Sequence, residues 1–119
     1  MDNLEQTSKI KIENYREIIQ TFLRKYASYK PSHGEIEIQT LFDTQEDHYQ
    51  VLGVGWDGKQ RIYGCSIHLD IKNGKIWLQL NNTALDVAQE LVEMGVLKTD
   101  IVIAFQPPSI RAVSGYAMG

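Results

Sequence analysis

The chain has 119 residues, a net charge of −3 and a pI near 5.5, with 43% hydrophobic and 23% charged residues. That length holds one domain, able to bury roughly two thirds of its unfolded surface. The acidic balance argues against non-specific DNA binding, which draws on a concentrated basic surface, and no apolar run approaches the ~20 residues that a membrane span needs. The start from Met1 to Glu5 has neither the basic nor the apolar character of a secretory signal, and Cys65 stands alone, so a cytoplasmic protein without disulfides is expected.

Residues 1–9 read as a loose N-terminus. From about Ile10 to Ala27, Tyr15, Ile18, Ile19, Phe22, Leu23 and Tyr26 recur at spacings of three and four, the pattern of a helix with one apolar stripe that lies across a sheet face. Ser8 is the expected N-cap, and Lys30-Pro31 the expected stop, because proline disfavours helical geometry in the residue before it. Six of the twelve basic residues, Lys9, Lys11, Arg16, Arg24, Lys25 and Lys30, fall in this region among Glu5, Glu13 and Glu17. Mixed charge of this kind reads as a solvated helix face rather than a nucleic-acid site.

A turn at His33-Gly34 leads into Glu35 to Phe42, whose alternation predicts a half-buried strand. The following polar loop holds Asp43, Asp47 and His48, but it lacks the central glycine and terminal glutamate of a calcium loop, so it reads as a solvated turn. From Tyr49 to Gln79, three strand-like runs are separated by Asp57-Gly58 and Asn73-Gly74, which accept positive φ at low cost. An antiparallel meander follows.

A two-residue loop at Asn73-Gly74 sets Ile71 opposite Ile76, Leu69 opposite Leu78 and Ile67 opposite Leu80, all on one face. Leu52, Val54, Trp56, Tyr63 and Cys65 are expected to join that apolar face, which makes Cys65 a buried thiol rather than a nucleophile. Ser66, His68, Asp70, Trp77 and Gln79 are left for the opposite face, with Gln79 across from His68. The glycines of Gly53-Val54-Gly55-Trp56 lack a nucleotide-loop pattern and read as a bulge or a close backbone approach.

After Asn81-Asn82, Thr83 and Asp86 approximate a capping box for a second helix over about Ala84 to Met94, with Gly95-Val96 as its C-terminal cap. Ile101 to Phe105 is a continuous apolar run typical of a strand covered on both faces, and Pro107-Pro108 ends it. The tail Ser109 to Gly119 has no convincing period; it either packs on its own sheet or docks on a neighbouring subunit.

The predicted fold is therefore α+β, with an antiparallel β-meander sheet of about five strands and a long N-terminal helix and a second helix packed on it. No catalytic set emerges. His68 and Asp70 share a face and could support acid-base chemistry or hold a metal, but two groups are too few, since a hydrolytic metal site normally takes three protein ligands. No metal or cofactor is assigned, and His68, Asp70 and Gln79 stand as candidates on a polar sheet face. Trp77, pointing away from the aliphatic side, is a candidate partner anchor together with Tyr116.

Laid out in order, Val54-Gly55-Trp56, Arg61 to Cys65, His68 to Ile71, Gly74 to Trp77, Thr83, Ala88 to Leu91, Gly95-Val96, Asp100 to Phe105, Arg111 and Tyr116 to Gly119 resemble the XisI-like family of fdxN-element excision controlling factors. The resemblance covers nearly everything after Asn14. Leu97 stands where relatives often carry proline, and Gln106 where they often carry histidine. The resemblance implies a non-enzymatic accessory role in site-specific excision of a DNA element, alongside a recombinase and a nuclease-like (XisH-like) companion, with DNA contacted indirectly and no membrane partner. Alternatives are an antitoxin-like inhibitor of that companion, and a small hydrolase or metal enzyme using His68 and Asp70. A homodimer is an expectation from the apolar tail and Trp77.

Overall fold

The computed structural model describes residues 2–29 and 34–119, with side chains from residue 6 onward. The expected stop at Lys30-Pro31 and the His33 half of the first turn lie outside the described residues. Helix α1 runs Asp2–Ala27 and is followed by β1 (Glu35–Asp43), β2 (His48–Asp57), β3 (Gln60–Lys72), β4 (Lys75–Asn81), α2 (Val87–Glu93), a 3-10 turn (Lys98–Asp100), β5 (Ile101–Ile103) and a short α3 (Pro108–Arg111). The five strands form one sheet in the order β1-β2-β3-β4-β5, so the α+β architecture is the one predicted.

Helix α1 begins at Asp2, well before the predicted start, so the segment read as loose is helical and Ser8 lies inside the helix rather than capping it. The 26 residues make about 39 Å of helix. Only the stretch from Tyr15 onward carries the buried stripe: Tyr15, Ile18, Ile19, Phe22 and Leu23 pack into the core, while Gln6 to Ile10 are exposed. Hydrophobic periodicity marks the part of a helix that packs, not where it begins.

The Asn73-Gly74 loop has positive φ at both residues, the type I′ signature, and the ladder runs Lys72 with Lys75, Ile71 with Ile76 and Leu69 with Leu78. Beyond that point the expected register fails. Gln79 is an extra residue, His68 pairs with Leu80, and Ile67 pairs with Asn81. A second bulge sits at Ser66, where Val51 pairs with Ile67 but Leu52 pairs with Cys65. One inserted residue reverses the facing of everything beyond it. Tyr63 and Cys65 therefore share a face with Leu52, Val54 and Trp56, as expected, but that face is opposite to Ile67, Leu69 and Ile71. The core side of β2 is Tyr49, Val51 and Gly53. At Gly55, a β-carbon would stand 2.1 Å from the Glu35 carbonyl oxygen, so the glycine permits the close approach of β1.

The β5 strand runs parallel to β4, which corrects the all-antiparallel expectation for the last pair. A helix between two neighbouring strands returns the chain to the same end of the sheet, and the β4-α2-β5 connection is such a crossover. The N-cap of α2 is Asp86, accepting from the Gln89 amide, while Thr83 caps the preceding turn. Val96 and Gly95 donate to the carbonyls of Leu91 and Val92, the two bonds of a Schellman cap, as Gly95-Val96 predicted. Ile101 and Val102 are both fully buried, and the tail covers the outer side of the strand, where Ala117 bridges Val102 and donates to the Ile101 carbonyl.

One layer of helix thus seals the inner face of the sheet. Tyr15 Oη donates to Asp100 at 2.6 Å, with Lys11 Nζ 3.2 Å from the same carboxylate. Arg16 forms a bidentate pair with Asp47 at 2.8 and 3.0 Å, and Tyr49 Oη donates to that carboxylate at 2.8 Å. These contacts tie α1 to the segments that lead into β2 and β5, at one end of the strands.

Candidate functional site

Among the described residues, no helix covers the β1–β2–β3 part of the outer face. Its chemistry concentrates beside the turns of the β1–β2 and β3–β4 hairpins, at the open end of the β2–β3 hairpin. His48 begins β2 and pairs with Asp70 of β3, so both side chains rise from the same side of the sheet. His68 lies two residues before Asp70 and shares its face. The three converge: His48 Nδ1 and His68 Nε2 each lie 2.8 Å from Asp70 Oδ1. Gln79 Nε2 donates to the other oxygen, Oδ2, at 3.1 Å, and the Gln50 amide lies 3.4 Å from His68 Nδ1.

The electrostatics follow from these contacts. Burial pushes the Asp70 carboxyl up, but hydrogen bonds from His48 and His68 outweigh it and hold the group below its ordinary value. The hydrogen bond that His48 donates to Asp70 raises the pKa of the His48 ring in turn. Asp70 is the buried hub, with 15% of its side chain exposed against 57% for His48, so the cluster opens to solvent on the His48 side, beside a shallow depression lined by Leu41, Phe42, Asp43 and Gln50.

The sequence-predicted residues His68, Asp70 and Gln79 are thus brought together, although Gln79 meets Asp70 rather than lying opposite His68. It does so because the bulge makes Gln79 the unpaired extra residue, with Leu80 in its place opposite His68. Missing from the sequence reading was His48, which was placed in a solvated loop. With it, the donor atoms of two histidines and one carboxylate lie within 4.8 Å of one another, the ligand count that His68 and Asp70 alone could not reach.

The other candidates are engaged within the chain. Trp77 is half-buried: its Nε1 donates to the Lys72 carbonyl at 3.2 Å, and the Lys72 ammonium and Arg111 guanidinium lie 4.6 and 5.8 Å from its ring centre. Arg111 also ties down the tail by donating to the carbonyls of Ala104, Gln106 and Met118. Tyr116 packs against the core with the Lys98 ammonium 4.7 Å from its ring. On this face the exposed aromatics are instead Trp56 and Tyr63, 50% and 72% accessible, near the tip of the β2–β3 hairpin. Cys65, half-buried on the outer face, bonds the Ile67 carbonyl, and burial raises its pKa.

The XisI protein family model matches residues 10–118. The chain belongs to the XisI family. Two solved XisI structures share the architecture. A XisI-like protein from Anabaena variabilis ATCC 29413 is 47% identical and superposes with a TM-score of 0.82 over 88% of this chain and 96% of that one. The fdxN element excision controlling factor XisI from the same organism is 34% identical, with a TM-score of 0.78 over 92% and 99%. Among curated proteins, none matches. The XisI match begins at Ile10, so the first turns of α1 precede it. No described helix is long and apolar enough to cross a membrane.

Proposed function

We propose that this protein is a non-enzymatic accessory factor that controls site-specific excision of a DNA element of the fdxN type, acting through a nuclease-like, XisH-like companion in concert with the recombinase machinery. Family membership supports the excision role, because a solved relative is an fdxN element excision controlling factor. The observation that carries the protein-binding part is the uncovered outer face. It exposes Trp56, Tyr63 and Leu41 beside half-buried Leu52 and Val54. Aromatic residues on an uncovered face are what protein interfaces use as anchors. The net charge of −3 supports indirect contact with DNA.

Co-expression with the companion, followed by size-exclusion chromatography with light scattering, tests the reading. A stoichiometric complex is expected, and Trp56→Ala combined with Tyr63→Ala weakens it. Two separate peaks, or a mobility shift of duplex DNA by this protein alone at physiological salt, would overturn the proposal. The companion's nuclease activity with and without this chain then separates an activator from an antitoxin-like inhibitor.

A further inference from the structure

The outer-face cluster has the composition and construction of a metal site. We propose that His48, His68 and Asp70 bind one divalent transition ion of the zinc class, with Gln50 and Gln79 holding the ligands in place. This inference stands independently of the excision reading.

Three observations carry it. First, the donors are two imidazole nitrogens and one carboxylate oxygen. That mixed set suits zinc, cobalt or nickel, whereas magnesium and calcium favour all-oxygen sites. Second, the donor atoms converge from paired strands. Ligand atoms around a tetrahedral ion stand about 3.3 Å apart, and the spacings here are 2.8 Å from each histidine nitrogen to Asp70 Oδ1, with the whole set inside 4.8 Å. Small side-chain rotations supply the remainder, with no backbone movement. Third, the ligands have the outer partners that metal sites use. Gln79 holds Asp70 Oδ2 and leaves Oδ1 to the ion. Gln50 faces His68 Nδ1, the nitrogen left over when Nε2 coordinates, and with its amide turned so that the oxygen accepts, it fixes the required tautomer.

Without the ion, His48 Nδ1 and His68 Nε2 face Asp70 Oδ1 across N–H···O bonds; with it, both near nitrogens give their lone pairs to the metal, and the single hydrogen of each neutral ring sits on the far nitrogen after exchange with solvent. Three protein ligands leave an open position. It lies on the His48 side, where solvent reaches the cluster.

The test uses the untagged full chain, titrated calorimetrically with zinc at neutral pH, and cobalt absorption as a reporter of coordination. One ion per chain is expected, with cobalt bands of low coordination number and no competition from magnesium. His48→Ala and His68→Asn should each weaken zinc binding by more than about 100-fold, and Gln79→Ala by about 10-fold, the range for loss of an outer partner. Glu93→Gln, at the end of α2, should leave it unchanged. Circular dichroism and thermal melting establish that each variant is folded, and exposed His48 is the substitution the fold tolerates best. Non-saturable binding, or binding that survives in either folded histidine variant, overturns the proposal.

Discussion

Strand β3 serves two surfaces of different character. On the inner side, Ile67, Leu69 and Ile71 are buried against α1, and among the described residues no polar or charged residue is fully buried there. On the outer side, the intervening His68 and Asp70 sit in a hydrogen-bonded cluster open to solvent. One face holds the fold together by excluding water from aliphatic surface, so the other is free of that duty and can present charge and exposed aromatics. The largest effect should come from breaking the first. Leu69→Ala, at a fully buried position, is expected to cost about 2–5 kcal/mol by urea denaturation. A loss comparable to that of an exposed substitution would show that the inner face is not the stabilising one.

The two faces were not equally legible in the sequence. The stripe of α1 and the pairs from Lys72–Lys75 to Leu69–Leu78 could be read directly, because the Asn73-Gly74 turn and the aliphatic alternation agree. The outer face could not, for two physical reasons. Bulges at Ser66 and Gln79 carry no composition signal of their own. Leu52, Val54, Trp56, Tyr63 and Cys65 also continue an apolar alternation on the side away from the core, so a pattern argument assigns them to the wrong surface. His48 was missed for a different reason. The polar composition of Asp43 to His48 assigns it to the loop, whereas β2 begins at His48 and the residue inserted at Ser66 brings it opposite Asp70. Periodicity and turn signals carried the fold class, but not the register beyond each bulge.

The buried anchor of α1 gives the next effect. Burial, reinforced by the hydrogen bond to Asp100, raises the Tyr15 hydroxyl from 10.0 to about 12. A pKa raised by folding contributes stability that is complete below the unfolded value and lost as pH rises through the folded one. The window is therefore pH 10 to 12, at about 1.4 kcal/mol per unit of the gap. Denaturation of wild type and Tyr15→Phe across that range should show the phenylalanine variant with the shallower decline. Parallel curves would refute the assignment.

A smaller loss should follow Arg16→Met, which leaves Asp47 with only the Tyr49 hydroxyl among its side-chain donors. Both side chains retain some solvent contact, 25% and 13%, so about 1–2 kcal/mol is expected rather than the full value of a buried pair. Burial raises the Asp47 carboxyl, but Arg16 and Tyr49 outweigh it and keep it below 3.8. This contribution is accordingly present above pH 3.8 and disappears as pH falls through the folded value. The acid limb of the unfolding curve should flatten in the variant.

The smallest stability effect sharpens the comparison most. Tyr63→Thr keeps a residue of high strand propensity in β3 but removes an aromatic that is 72% exposed, so unfolding free energy should change by no more than about 0.5 kcal/mol. If the outer face serves a partner, the same substitution should reduce retention of the companion in a pull-down while leaving the melting curve in place. A change in melting without a change in retention would assign Tyr63 to the fold, and the two faces of the sheet would no longer divide stability from recognition.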